Sequence, residues 1–201
     1  MTERYELPPE RLARWLDRWA EAHDGVASRS VDGGVVRLVG GDGAVVVCEA
    51  PFPPVEGDLL AHVSRSRTVG VLLVRLGGSA AGVFEGTRLV ASKVDARLVH
   101  GRHRAGGQSA NRFARRRAGQ ARVAFAAAAD VAARVLVPRA GELDAVVLGG
   151  DRTALREVMA DRRLEVLQPL VVERVLEVAE PRLKVLEGTP DAFRATVVRT
   201  G

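Results

Sequence analysis

Residues 109–137, "SANRFARRRAGQARVAFAAAADVAARVLV", continue without a proline until Pro138. The run predicts one continuous helix, which at about 1.5 Å per residue spans roughly 40 Å. That is long for a chain of 201 residues and narrows the architectures open to it. A helix so rich in alanine needs a broad apolar surface beneath it, because its stability must come from packing. The chain supplies that surface just upstream. "TVGVLLVRL" from Thr68 is a β-run, "GGS" a turn, "AAGVFEG" a second strand and "RLVASKVDARLVH" a third. Downstream, "LDAVVLGGD" reads as a buried strand, "RTALREVMAD" as a helix, "ERVLEVAE" as a strand and "TPDAFRATVV" as a last helix. The expected fold class is α+β, close to α/β: a mixed, largely antiparallel sheet packed against a long helix.

Residues 1–67 read as an N-terminal extension, and 68–201 as the main domain. Leu12, Trp15, Leu16 and Trp19 repeat at i, i+3, i+4 and i+7, so an amphipathic helix follows Pro8-Pro9 and stops at Gly25. "GVVRLV" and "AVVVCEA", separated by "GGDG", read as a β-hairpin. "APFPPVEGD" breaks the pattern, and "LLAHVSRS" makes a short helix.

Composition excludes several classes. With 47% hydrophobic and 27% charged residues the chain is globular rather than disordered. Cys48 is its single cysteine, which rules out an internal disulfide and a cysteine-based zinc site. The start lacks a signal-peptide pattern and no apolar stretch reaches membrane-spanning length, so a cytoplasmic, non-membrane protein is expected. The net charge is +5, but it is concentrated. Between Asp95 and Asp130 there is no acid, while Arg97, Arg102, Arg104, Arg112, Arg115, Arg116, Arg117 and Arg122 all fall there. Elsewhere 22 basic residues face 25 acidic ones. Such asymmetry points to a polyanionic partner.

Inside that basic stretch sits "HGRHRAGGQSANRFARRR", residues 100–117. Gly106 and Gly107 free the backbone for a narrow space, with Gln108 the only sizeable polar side chain at the tip. Ser109 is placed to cap the helix, whose positive end then adjoins the loop. Arg112, Arg115 and Arg116 share a helix face, while Arg102, His103 and Arg104 add donors from the other side. A bare tip with a basic base suits insertion into a phosphate-lined cavity.

From His103 to Arg117, including Ala105, Ser109, Arg112 and Phe113, the sequence resembles the GGQ loop and following helix of the catalytic middle domain in archaeal and eukaryotic class I release factors. It is also similar to the release-factor-like peptidyl-tRNA hydrolases of ribosome quality control, including stand-alone actinobacterial members. A looser similarity runs from about Thr68 to the C-terminus. The resemblance implies a middle-domain fold for residues 68–201, with Gly106, Gly107 and Gln108 entering the peptidyl transferase centre to promote hydrolysis of the peptidyl-tRNA ester. Arg102, His103, Arg104, Ser109, Arg112, Arg115, Arg116, Arg117 and Arg122 would hold RNA, and the partners would be the large ribosomal subunit and peptidyl-tRNA. Methylation of Gln108, as in related factors, stays open.

The chemistry is compatible. Ester hydrolysis needs a positioned water and a stabilised oxyanion, to which a backbone N–H near Gln108 can donate. The neutral amide orients water but is a poor base, so RNA groups must complete the site. Full release factors add a stop-codon-reading domain and a GTPase-recruiting domain. Only about 67 residues precede the catalytic-type region here, with no stop-codon-reading motif, which favours codon-independent release, as in ribosome rescue. The alternative is a non-catalytic ribosome-docking or RNA-binding factor. A third reading, hydrolysis of free peptidyl-tRNA, fits poorly because Gln108 lacks a base of its own.

Other features have plain readings. His100 and His103 lack a third ligand, so no metal is expected. No nucleophile elbow, P-loop or dinucleotide fingerprint occurs, so no cofactor is expected. Gly149 and Gly150 read as a turn, Asp151 as a helix cap, and Phe113 and Phe125 as core anchors. A monomer is expected.

Overall fold

The computed structural model describes residues 3–75, 78–96 and 109–201, with side chains described for all of these except 96 and 109–118. In chain order the elements are β1 (Glu3–Leu7), α1 (Pro9–Ala22), β2 (Val26–Asp32), β3 (Val35–Gly40), β4 (Val45–Glu49) and α2 (Leu59–Ser64). Then come β5 (Thr68–Arg75), β6 (Gly78–Glu85), β7 (Arg88–Ala96), α3 (Ser109–Val135), β8 (Ala145–Gly150) and α4 (Arg152–Met159). The chain finishes with β9 (Val171–Leu176), α5 (Leu183–Glu187), α6 (Thr189–Phe193) and β10 (Thr196–Thr200). Stretches of 3-10 helix at Val137–Glu142 and Arg162–Leu170 follow α3 and α4. The class is α+β, as the sequence led one to expect, with one five-stranded sheet in each of two compact units.

The first unit comprises residues 1–66 and 189–201. Its sheet has the order β1-β10-β4-β3-β2, antiparallel throughout. Alternation selects the core face: Val36 and Leu38 of β3 lie opposite Cys48 and Val46 of β4, and all four are buried. Leu12 and Trp19 of α1 join that cluster with Leu7, Leu59, Val63 and Val198. Pro9 starts α1 at a position where a missing N–H costs nothing. Asp58 Oδ1 caps α2 by accepting from the Ala61 amide at 2.9 Å.

The sequence reading counts residues 189–201 with the main domain and makes "TPDAFRATVV" a helix. The structure differs. The helix stops at Phe193, and β-branched Thr196, Val197 and Val198 form β10 between β1 and β4. Among the described residues strand β1 pairs only with β10, so it joins the sheet only through the returning C-terminal strand. The sequence reading has neither β1 nor β2; β2 is exposed along its whole length and so lacks the apolar alternation that marks a half-buried strand.

The second unit comprises residues 67–188. Its sheet, β7-β6-β5-β8-β9, is mixed: β5, β6 and β7 form an antiparallel meander, while β8 runs parallel to both β5 and β9. Strands β5 and β6 are buried over six consecutive residues each, so both faces of the sheet are covered there. The long helix ends at Val135 rather than Val137, passing into 3-10 helix at Val137–Glu142. Ala128, Ala129, Val131, Ala132 and Val135 of α3 share a core with Leu72, Val74, Ala81 and Val83 of the sheet. Small side chains bring the helix close to the strands. Leu155, Val158 and Met159 of α4 extend the same core.

Candidate nucleic-acid interface

The basic segment hangs between two elements of the second unit. Strand β7 pairs with β6 from Glu85↔Arg88 to Gly78↔Ala96, and β6 in turn pairs along its length with β5. The ascending strand therefore ends at Ala96 on a firm base, and α3 resumes the chain at Ser109. Arg102, His103, Arg104, Gly106, Gly107 and Gln108, with His100, lie outside the described residues. The frame of strand before and helix after is the one the sequence reading requires.

Ser109 is the first residue of α3, and Arg112, Arg115, Arg116 and Arg117 follow in its first turns, their side chains outside the description. Arg122 is exposed on the same helix. Counting back in helical steps of three and four from exposed Asp130, Ala126 and Arg122 leads to positions 119, 116, 115 and 112. Burial is concentrated towards the C-terminal end of α3, where Ala127, Ala128, Ala129, Val131 and Ala132 are all buried and Phe125 packs against the core as an anchor. From Ser109 to Ala127 is about 27 Å of helix at 1.5 Å per residue. The arginine-bearing turns thus precede the section that anchors α3 in the core.

The acid that closes the basic stretch is already engaged. Asp130 Oδ1 accepts from Arg163 Nη1 at 2.6 Å. The same guanidinium donates through Nη2 to Asp161 Oδ2 at 2.7 Å and through Nε to Asp161 Oδ1 at 2.9 Å. Arg163 holds the Asp161 carboxyl down at about 2, helped by the backbone amide of Arg163, and the two acids raise the guanidinium further. Asp130 is thereby committed to a brace between α3 and the 3-10 helix after α4. The sequence reading missed Arg163, which sits 33 residues from its partner in a stretch with no motif.

Asp151 caps α4 as expected, its Oδ1 accepting from the Ala154 amide at 2.8 Å. Gly149 and Gly150 belong to the end of β8, where Gly150 takes φ +108°. Their need for glycine arises inside the fold. Among the described residues no group of histidine, cysteine or acidic side chains is arranged to hold a metal ion, and no helix is long and apolar enough to cross a membrane.

Among solved structures, the chain is similar to the archaeal translation termination factor aRF1, at 15% identity and a TM-score of 0.48, over 96% of this chain and 66% of that one. A second, described as an archaeal protein, shows 18% identity and a TM-score of 0.43, over 92% of this chain and 62% of that one. The chain thus spans slightly less than two thirds of the length of either. No curated protein matches it. A sequence model of one family, described as the Actinobacteria/chloroflexi VLRF1 release factor, matches residues 67–199. That match takes in the entire second unit, with β7, the basic segment and α3, and extends into β10. Covering well over half of the sequence, it places the chain in the Actinobacteria/chloroflexi VLRF1 release-factor family.

Proposed function

We propose that the chain is a ribosome-associated peptidyl-tRNA hydrolase that releases nascent peptides without reading a stop codon. The observation that carries this reading is the family match across residues 67–199, which contains "HRAGGQSANRFARRR": its HRAGGQ part follows a strand ending at Ala96, and its SANRFARRR part opens the helix that starts at Ser109. Gly106 and Gly107 let the tip enter the peptidyl transferase centre of the large subunit. Gln108 positions the attacking water or the developing oxyanion at the ester carbonyl. The amide accepts no proton at neutral pH, so RNA groups of the ribosome–tRNA complex carry the proton transfers. Arg102, His103, Arg104, Arg112, Arg115, Arg116, Arg117 and Arg122 neutralise phosphates around the entrance, and Ser109, the first residue of α3, adds a hydroxyl there. Asp130, the acid nearest along α3, is held by Arg163 and does not compete for those arginines. No metal or organic cofactor enters this scheme, which is set in the cytoplasm.

The test mixes purified protein with stalled ribosome–nascent-chain complexes, or large subunits carrying peptidyl-tRNA, and counts released peptide. Release is expected from the wild type, with a loss of about two orders of magnitude in Gln108→Ala, the scale of losing the positioning of the attacking water. Release undiminished in Gln108→Ala refutes the role of that residue. Ribosome binding without release by the wild type makes the protein a docking factor instead.

A further inference from the structure

The first unit carries a groove that the release chemistry does not use. It has two adjoining parts, of about 470 and 260 Å³, which share Trp15 and Arg18 as lining residues. Half-buried Trp15 stands at the junction, braced by Tyr5 at a ring-centroid distance of 5.6 Å. Trp19, almost wholly buried, forms the floor and packs against His23 at 4.9 Å. Along one side run Arg11, Arg14 and Arg18 of α1, all exposed and separated by three and four residues, so they lie on one helix face.

Three arginines and two acids, Glu3 and Glu10, line the groove, leaving cations in excess along α1. None of these three arginines makes an ion pair among the described residues. Of the two acids that line it, Glu10 is paired with Arg194 at 2.6 Å, while Glu3 accepts from the neutral Tyr5 hydroxyl and keeps its charge; Asp42 nearby takes His23 at 2.8 Å and the Ala44 amide at 2.9 Å. Asp17 and Glu21, the remaining acids of α1, stand three residues after Arg14 and Arg18, but neither lines the groove. Unpaired cations beside an aromatic platform fit a polyanion that also presents flat faces.

We propose that this groove binds single-stranded RNA, with a base against Trp15 and the backbone phosphates along Arg11, Arg14 and Arg18. Base–aromatic stacking is tolerant of sequence, and arginines follow the phosphates, the combination seen wherever proteins hold unpaired strands. An acidic peptide would satisfy the arginines but offer nothing to stack on the half-buried ring of Trp15. The site lies in the unit of residues 1–66 and 189–201 and shares no residue with positions 106–108, so it gives the protein a second RNA contact whether or not those residues promote ester hydrolysis.

The chain's two tryptophans are Trp15 and Trp19, so intrinsic fluorescence reads this groove directly. The full chain is titrated with a short oligoadenylate RNA at several salt concentrations. Saturable quenching that weakens as salt rises is expected. The combined variant Arg11→Gln, Arg14→Gln, Arg18→Gln should flatten the slope of log affinity against log salt by about two, from about 0.7 per phosphate contact. Trp15→Leu, read through Trp19, should weaken binding roughly tenfold. Thermal melts check that each variant is folded, and the arginine variant, whose changes are all on the surface, carries the test if Trp15→Leu is unstable. Absence of quenching, an unchanged salt slope in the arginine variant, or equal quenching by polyglutamate would each overturn the proposal.

Discussion

Gly150→Ala should destabilise the second unit by about 2–4 kcal/mol, and the structure shows where the loss arises. Gly150 closes β8 at φ +108°, a region that costs a residue with a Cβ about 1–3 kcal/mol. A Cβ built there falls 2.1 Å from the carbonyl oxygen of Val74, its register partner on β5. That oxygen is backbone, so no rotamer relieves the clash and the two strands must move apart. The same oxygen accepts from the Asp151 amide at 2.9 Å, so the movement also weakens a hydrogen bond with a net contribution of about 1 kcal/mol. Asp151 is the cap of α4, which would be displaced with it. Against a total stability of order 5–15 kcal/mol this is a large fraction. Urea unfolding followed by far-UV circular dichroism, with wild type and variant compared at a common slope, measures it. Gly119→Ala supplies the control of opposite sign, because Gly119 lies inside α3 and, among the described residues, nothing comes within 4 Å of its added Cβ. It should stabilise the helix by up to about 1 kcal/mol. A Gly150→Ala protein within about 0.5 kcal/mol of the wild type would refute the reasoning.

Cys48 lies in the core of the first unit with its thiol pushed up to about 12 by burial, so a disulfide reagent at neutral pH should label it only when denaturant is added. Rapid labelling of the native protein would contradict that placement. Asp161 is held at about 2, below its ordinary 3.8, so its contribution to stability is complete above roughly pH 4 and is lost as pH falls from 3.8 towards 2. An acid titration by circular dichroism should show a shallower fall over that window in Asp161→Asn; parallel curves would remove Asp161 from the account. Thr196 is fully buried and its Oγ1 has no hydrogen-bond partner, so Thr196→Val should be neutral or stabilising by about 1 kcal/mol in the same urea assay. A clear loss of stability would mean that the hydroxyl is paired.

Local signals account for what was legible in the chain. The period of Leu12, Trp15, Leu16 and Trp19 marks α1, continuous apolar runs mark β5 and β8, and the stretch up to Pro138 marks α3. The candidate site was legible for a similar reason. Its glycines, glutamine and arginines are contiguous from His103 to Arg117, and the absence of acids between Asp95 and Asp130 is a property of one segment. What escaped depends on separation. The brace of Arg163 on Asp130 joins positions 33 residues apart, and the pairing of Arg199 with Glu49 spans 150. The groove on α1 needed Tyr5 from another element before Trp15 could be seen as a supported platform rather than as one more apolar residue of the helix.

The sequence by itself determined the order and kind of most elements, the place of the basic loop between a strand and a long helix, and the family to which the chain belongs. These follow from short-range pattern, since hydrophobic period and turn chemistry act over a few residues. Tertiary structure alone decided that β10 returns between β1 and β4, that β8 aligns parallel to β5, and that Asp130 is turned to Arg163. A strand exposes unpaired amides and carbonyls on both edges, and its own residues do not say which distant edge will satisfy them. The fold supplies that choice by bringing together the edges and side chains that bury the most apolar surface while leaving the fewest polar groups without partners.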